Sequence, residues 1–144
     1  MIPQIYFEDV KEGDEIPTLT IAADQTQMFF FSAATYNGHR IHYDQSWAKG
    51  VEGYPDILVH GPLQAALLAR AITDWIGADG RLVRYSIQNR ASAFPGEELR
   101  FVGTVTAKRE VDGQALVDLA IRGEKGDTEI LMPGTATVAL PKRA

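Results

Sequence analysis

The sequence predicts one α+β domain over residues 1–144, an antiparallel sheet wrapped around a single long central helix. Two observations predict it. Residues 62–76 are apolar around most of a helical circumference, and everything after Arg81 repeats with a period of two and carries no helical signal. The length agrees, since 144 residues fit one domain comfortably and two poorly.

Residues 18–22 alternate weakly, as a short strand does. Asp24 and Gln27 form a capping-box-like pair that opens a helix running to Thr35. Met28, Phe29, Phe31 and Ser32 fall within it, and aromatic residues at that spacing are expected in the core. Residues 36–44 are too polar, and too interrupted by Gly38, to continue the helix, so an ordered loop is expected. Asp44 can cap a short helix over residues 45–49, closed by Gly50, and residues 51–56 are turn material. Gly61 precedes Pro62, a favourable first-turn residue, and the central helix follows with apolar Leu63, Ala66, Leu67 and Ala71, then Leu68, Ile72, Trp75 and Ile76. Gly77 and Gly80 end it. Residues 82–89 alternate, and Phe94-Pro95-Gly96-Glu97 turns the chain into residues 99–107. Asp112-Gly113 is a hairpin signal before residues 115–122, and a polar turn leads to residues 129–140. The expected topology after the helix is a meander of about four long strands.

Composition excludes several functions. Fourteen Lys and Arg against nineteen Asp and Glu give a net charge of -5, and the basic residues are dispersed, so no footprint for nucleic acid exists. A few local cations can still grip the phosphates of a ligand such as coenzyme A. The chain has no cysteine, which removes disulfides, thiolate metal sites and a Cys nucleophile. No run of 18 apolar residues occurs, and residues 1–10 are mixed and acidic rather than basic and then apolar. The expectation is a cytoplasmic protein with no membrane partner.

Two stretches carry a family signature: FSAATYNGHRIHYD at residues 31–44 and EGYPDILVHGPL at residues 52–63. Together they resemble the hydratase motif of MaoC-like proteins, the (R)-specific enoyl-thioester hydratases and 3-hydroxyacyl-thioester dehydratases. The similarity is greatest to the branch with an Asn-x-His-Arg-Ile-His-Tyr-Asp loop, which includes mitochondrial 3-hydroxyacyl-thioester dehydratases and the mesaconyl- and itaconyl-CoA hydratases. Residues 7–14 resemble the family's opening and residues 89–99 its strand-turn-strand, so the resemblance covers nearly the whole chain. It implies a single hot-dog fold and reversible hydration of a 2-enoyl-CoA to a (R)-3-hydroxyacyl-CoA. No cofactor is implied beyond the coenzyme A of the substrate.

Hydration of an enoyl thioester needs water at the β-carbon, a proton at the α-carbon and stabilisation of charge on the thioester oxygen. The resemblance assigns proton transfer to His42, for which an imidazole titrating near 6.5 is chemically suited. It assigns the thioester oxygen to the backbone N–H of Gly61. Free N–H groups and the dipole at a helix start favour an anion there, and the missing side chain allows close approach. His60 beside it is read as a packing or capping residue. Asn37 stands where better-known relatives carry Asp, and cannot take a proton. It either orients the water while His42, with His39, handles protons, or it marks a site that has lost activity. His39 and His42 as a metal pair lack an evident third ligand. Arg90 matches a recurrent family Arg and, with Arg84 at even spacing on one strand face, is a candidate for coenzyme A phosphate; a solvated strand-face cation is the alternative. Tyr54 and Pro62 complete the substrate-binding candidates.

Two rival functions remain: a non-catalytic hot-dog subunit that completes a partner's acyl tunnel, and an acyl-CoA thioesterase using Glu52 or Asp56. Because an open sheet edge tends to be paired, a homodimer or a heterodimer with another hot-dog chain is expected.

Overall fold

Asp24 and Asp44 start two helices by the same device: each side chain accepts a backbone N–H three residues on, from Gln27 and Trp47 respectively. In the computed structural model, which describes residues 3–144, these are α1 (Gln25–Ala34) and α2 (Gln45–Gly50). A 3-10 turn over Arg40–His42 lies between them, inside the loop expected there. The central helix α3 runs Gly61–Ile76 as anticipated. Five strands, β1 (Leu19–Ala22), β2 (Arg81–Ile87), β3 (Glu98–Val111), β4 (Gln114–Lys125) and β5 (Glu129–Ala139), form one antiparallel sheet in the order β1-β3-β4-β5-β2.

That order corrects the expected meander. β2 does not pair with β3; it lies at the opposite end, against β5, with Tyr85 opposite Ala136 and Ile87 opposite Gly134. An alternating strand is satisfied by any antiparallel partner, so periodicity alone cannot choose between β3 and β5. Residues 88–97 make the crossing. Arg90 and Ala91 donate backbone N–H bonds to Leu131 O, and Ala93 O accepts from Val59 N–H. The crossing segment therefore ties the sheet to the chain just ahead of α3. The hairpin at Asp112-Gly113 forms as expected, with φ of 49° and 77°.

Leu63, Leu67, Leu68, Ala71, Ile72 and Ile76 of α3 are buried in one core with Leu99, Phe101, Leu119, Leu131 and Met132 of the strands. Pro62, Ala66 and Arg70 form an exposed stripe, so the helix is wrapped on most sides rather than all, and Ala66 is not core. α1 departs further from expectation. Met28 and Ser32, one turn apart, face inward, whereas Phe29 and Phe30 are 56% and 64% exposed. α1 rests on the domain by a narrow stripe, and Phe29 belongs to its outer side.

Candidate active site

α1 ends in a left-handed residue, Tyr36, at φ 55°. Tyr36 N–H bonds to Ala33 O and Asn37 N–H to Ser32 O, the paired 5→2 and 6→1 closure that ordinarily calls for glycine. A tyrosine held there stores local strain and fixes where Asn37 begins the loop. Asn37 Oδ1 then accepts His39 N–H at 3.2 Å, so its side chain bends the loop toward the 3-10 turn that carries His42.

His42 is nearly buried. Its Nδ1 donates to Leu58 O at 2.8 Å, because a carbonyl can only accept, and Nε2 is left as the basic nitrogen of the ring. Burial is the main cause that lowers its pKa below the ordinary 6.5; the Leu58 carbonyl opposes this, and nearby His39 adds to it. The ring is thus neutral at neutral pH, more firmly than an unperturbed imidazole.

His60 faces it. The two rings are stacked at 3.9 Å and 18°, with the Phe31 ring edge-on to His60 at 4.8 Å. His60 is wholly buried, Ser32 Oγ lies 2.7 Å from its Nε2, and its Nδ1 has no partner. Burial, then the nearness of His42, pushes its pKa down to about 4. His60 packs, as one of its two expected roles had it, but its side chain does not cap α3. Ser32 beside it is not an activated nucleophile, since no carboxylate orients His60.

Gly61 follows His60 and opens α3. Gln64 N–H is the first to bond within the helix, to His60 O, and Pro62 has no N–H, so the free donors of the first turn are Gly61 and Leu63. A Cβ at Gly61 would come within 3.1 Å of Asn89 Nδ2, so the crossing segment closes over this point.

The remaining candidates spread outward. His39 is edge-on to His42 at 5.9 Å, but its side chain is 56% exposed and lies 3.9 Å from Glu52. Arg84 and Arg90 do not share one regular strand face: β2 shifts register between Leu82 and Arg84 and ends at Ile87. Arg90 sits in the crossing segment, donating to Gln88 Oε1, and lines a cavity of about 270 Å³ that Arg84 does not reach. Pro62 is exposed in the first turn of α3, and Tyr54 lies in the turn after α2; neither bonds to the histidines among the described residues. Asp56 is committed to Gln45 and to Ile57 N–H, which removes it as a free carboxylate at the head of α3. An open cavity of about 440 Å³ adjoins the loop, lined by Phe29, Ser32, Ala33, Tyr36, Asn37 and Tyr43. Sequence reasoning did not assign Ser32 or the Leu58 carbonyl to the site. The available signal was Ser32 following Phe29, Phe30 and Phe31, one turn after Met28.

A long helix clasped by a five-stranded antiparallel sheet is the hot-dog fold, and here it brings histidines from a loop and from the helix start into ring contact. Residues 7–93 match the hydroxyacyl-thioester dehydratase type 2 family, and the chain belongs to that family. It is 35% identical over 123 residues to the mesaconyl-C(4)-CoA hydratase of Chloroflexus aurantiacus, covering 85% of this chain and 39% of that protein. The chain therefore spans about two-fifths of that relative's length. It is 28% identical over 131 residues to the 3-oxo-4,17-pregnadiene-20-carboxyl-CoA hydratase beta subunit of Mycobacterium tuberculosis, covering 91% of this chain and 95% of that one. The solved R-hydratase PhaJ1 of Pseudomonas aeruginosa shares the fold with a TM-score of 0.87 at 19% identity, over 97% of this chain and 88% of that chain. Among the described residues no helix is long and apolar enough to cross a membrane, and no three His, Cys, Asp or Glu side chains gather as metal ligands.

Proposed function

We propose that the chain catalyses reversible hydration of a 2-enoyl-CoA to a (R)-3-hydroxyacyl-CoA. The observation that carries the reading is the His42 ring stacked on the residue that immediately precedes the first free N–H of α3. A proton-transferring nitrogen and an anion-stabilising helix start are thereby neighbours, which is what addition of water across an enoyl thioester needs. His42 Nε2 takes the proton from water and returns it to the α-carbon. The N–H groups of Gly61 and Leu63 hold the thioester oxygen as it gains charge. Asn37 orients the water.

The apolar wall of Phe29, Ala33 and Tyr43 suits the acyl part, and Arg90 suits a phosphate of coenzyme A. No other cofactor takes part, and a cytoplasmic location belongs to the same reading. β2 is an outer strand with Val83 46% exposed, and a second hot-dog chain, identical or not, pairs along it to complete the acyl tunnel. The names of the relatives, two CoA hydratases and one of them a beta subunit, support both parts. The test is loss of the enoyl-thioester absorbance when purified protein meets crotonyl-, mesaconyl- and a bulky enoyl-CoA, with sedimentation reporting a dimer at micromolar concentration. A monomer that leaves all three substrates unchanged contradicts the reading.

A further inference from the structure

His60 is a buried imidazole that the reaction as described does not use. Fully buried histidines ordinarily find partners for both nitrogens, and here Ser32 serves Nε2 while Nδ1 has none. Two rings pack against it, Phe31 edge-on and His42 face-on.

We propose that His60 is a positioning residue for His42, held by Ser32 as a flat plate against which the His42 ring is kept in place. The proposal rests on the reading of His42 as the proton-transferring group and adds how that group is held.

The Leu58 carbonyl grips only one nitrogen of His42. A single hydrogen bond leaves a ring free to swing about it, and the stacked face of His60 removes that freedom. Neutrality follows from the same contacts. With a proton on Nε2, His60 donates to Ser32 Oγ and leaves only a lone pair unpartnered at Nδ1. A second proton would create a buried N–H without an acceptor and a charge 3.9 Å from His42. An added proton therefore goes to His42 rather than to His60.

The other groups around His42 leave this division intact. From its own loop comes His39, edge-on at 5.9 Å, with Glu52 beyond it at 3.9 Å from His39. From α1 comes uncharged Ser32. Arg40, at the start of the 3-10 turn, and Asp44, just beyond it, neutralise each other at 2.6 Å.

The chain has three histidines, so an imidazole NMR spectrum contains three resonance sets and each can be followed with pH. In the wild type His42 is expected to titrate below 6.5, as the Nδ1–H tautomer when neutral, with His60 neutral down to about 4. His60→Ala opens space for water beside His42. His42 should then titrate closer to its ordinary value, and kcat should fall by about 10 to 10²-fold with a smaller change in KM. His60→Phe keeps a flat apolar plate, so it should hold the His42 titration low and recover part of the lost kcat. A folded His60→Ala protein with the wild-type His42 titration and wild-type kcat would overturn the proposal. If His60→Ala does not fold, Ser32→Ala carries the test. Releasing the His60 ring should shift or broaden the His42 resonances and lower kcat, and a Ser32→Ala protein matching wild type in both overturns it. The titration needs no turnover. A His42 shift in His60→Ala combined with an inactive wild type would support the stack while contradicting the hydratase reading.

Discussion

His42 and His39 occupy one short loop, yet only one of them is built into the protein. His42 is 9% exposed, gripped by a carbonyl and stacked on a second ring, whereas the His39 side chain is 56% exposed and touches Glu52 at the rim. The 3-10 turn produces the difference, because it drives His42 inward and leaves His39 at the N-cap facing out. Two identical side chains in one motif can thus carry different chemistry. A fixed, desolvated imidazole is suited to proton transfer, and an exposed, solvated one to loop support.

The largest effect that sharpens this comparison is at His42. His42→Ala should lower kcat for enoyl-CoA hydration by about 10² to 10⁴ while circular dichroism stays native. A fall no larger than that of a rim residue would remove the contrast between the two histidines. Acid stability comes next. His60 is depressed to about 4 in the folded state, from 6.5, so both states are neutral above 6.5 and its stabilising contribution is complete there. As pH falls from 6.5 toward 4 the unfolded chain takes up the proton first, and this single site removes about 3 kcal/mol of stability. His42 adds in the same direction. Urea midpoints measured between pH 7 and 4 should fall in that window, and less steeply in His60→Phe; a flat profile would mean the stack is solvated.

Smaller effects belong to the periphery. His39→Gln should reduce turnover by less than about tenfold, because an exposed imidazole contributes little to a positioned proton transfer. A loss equal to that of His42→Ala would show the two histidines sharing the work. Arg90→Gln should raise KM for CoA thioesters a few-fold, roughly, with kcat nearly unchanged, the pattern of lost ground-state binding. Arg84→Gln should do less, since Arg84 lies away from the cavity that Arg90 lines.

Local signals in the sequence read correctly where one residue acts on its neighbours. Asp24 and Asp44 cap, Pro62 starts the central helix, and Asp112-Gly113 turns the hairpin. Signals failed where the outcome depends on distant chain. β2 chose β5 rather than β3 because residues 88–97 cross the sheet, and that crossing also took Arg90 off the strand face it was expected to share with Arg84. Phe29 reads as core from its neighbours but lies on the outer side of α1. The motif pointed to Asn37, His39, His42 and Gly61, and the structure brings His42 and the start of α3 together through His60. The part played by Ser32 and His60 was not legible, since residues 28 positions apart meet only after α1 and α3 have docked.

The most direct measurement compares wild type with Asn37→Asp in the enoyl-thioester absorbance assay. Wild type should hydrate at least one enoyl-CoA to the (R)-3-hydroxy product, and Asn37→Asp should keep or lower that rate, because a carboxylate added to the loop that carries His42 raises the pKa of that histidine and changes its protonation near neutral pH. An inactive wild type together with an active Asn37→Asp protein would contradict this, and would identify the chain as an accessory subunit whose site had lost its carboxylate.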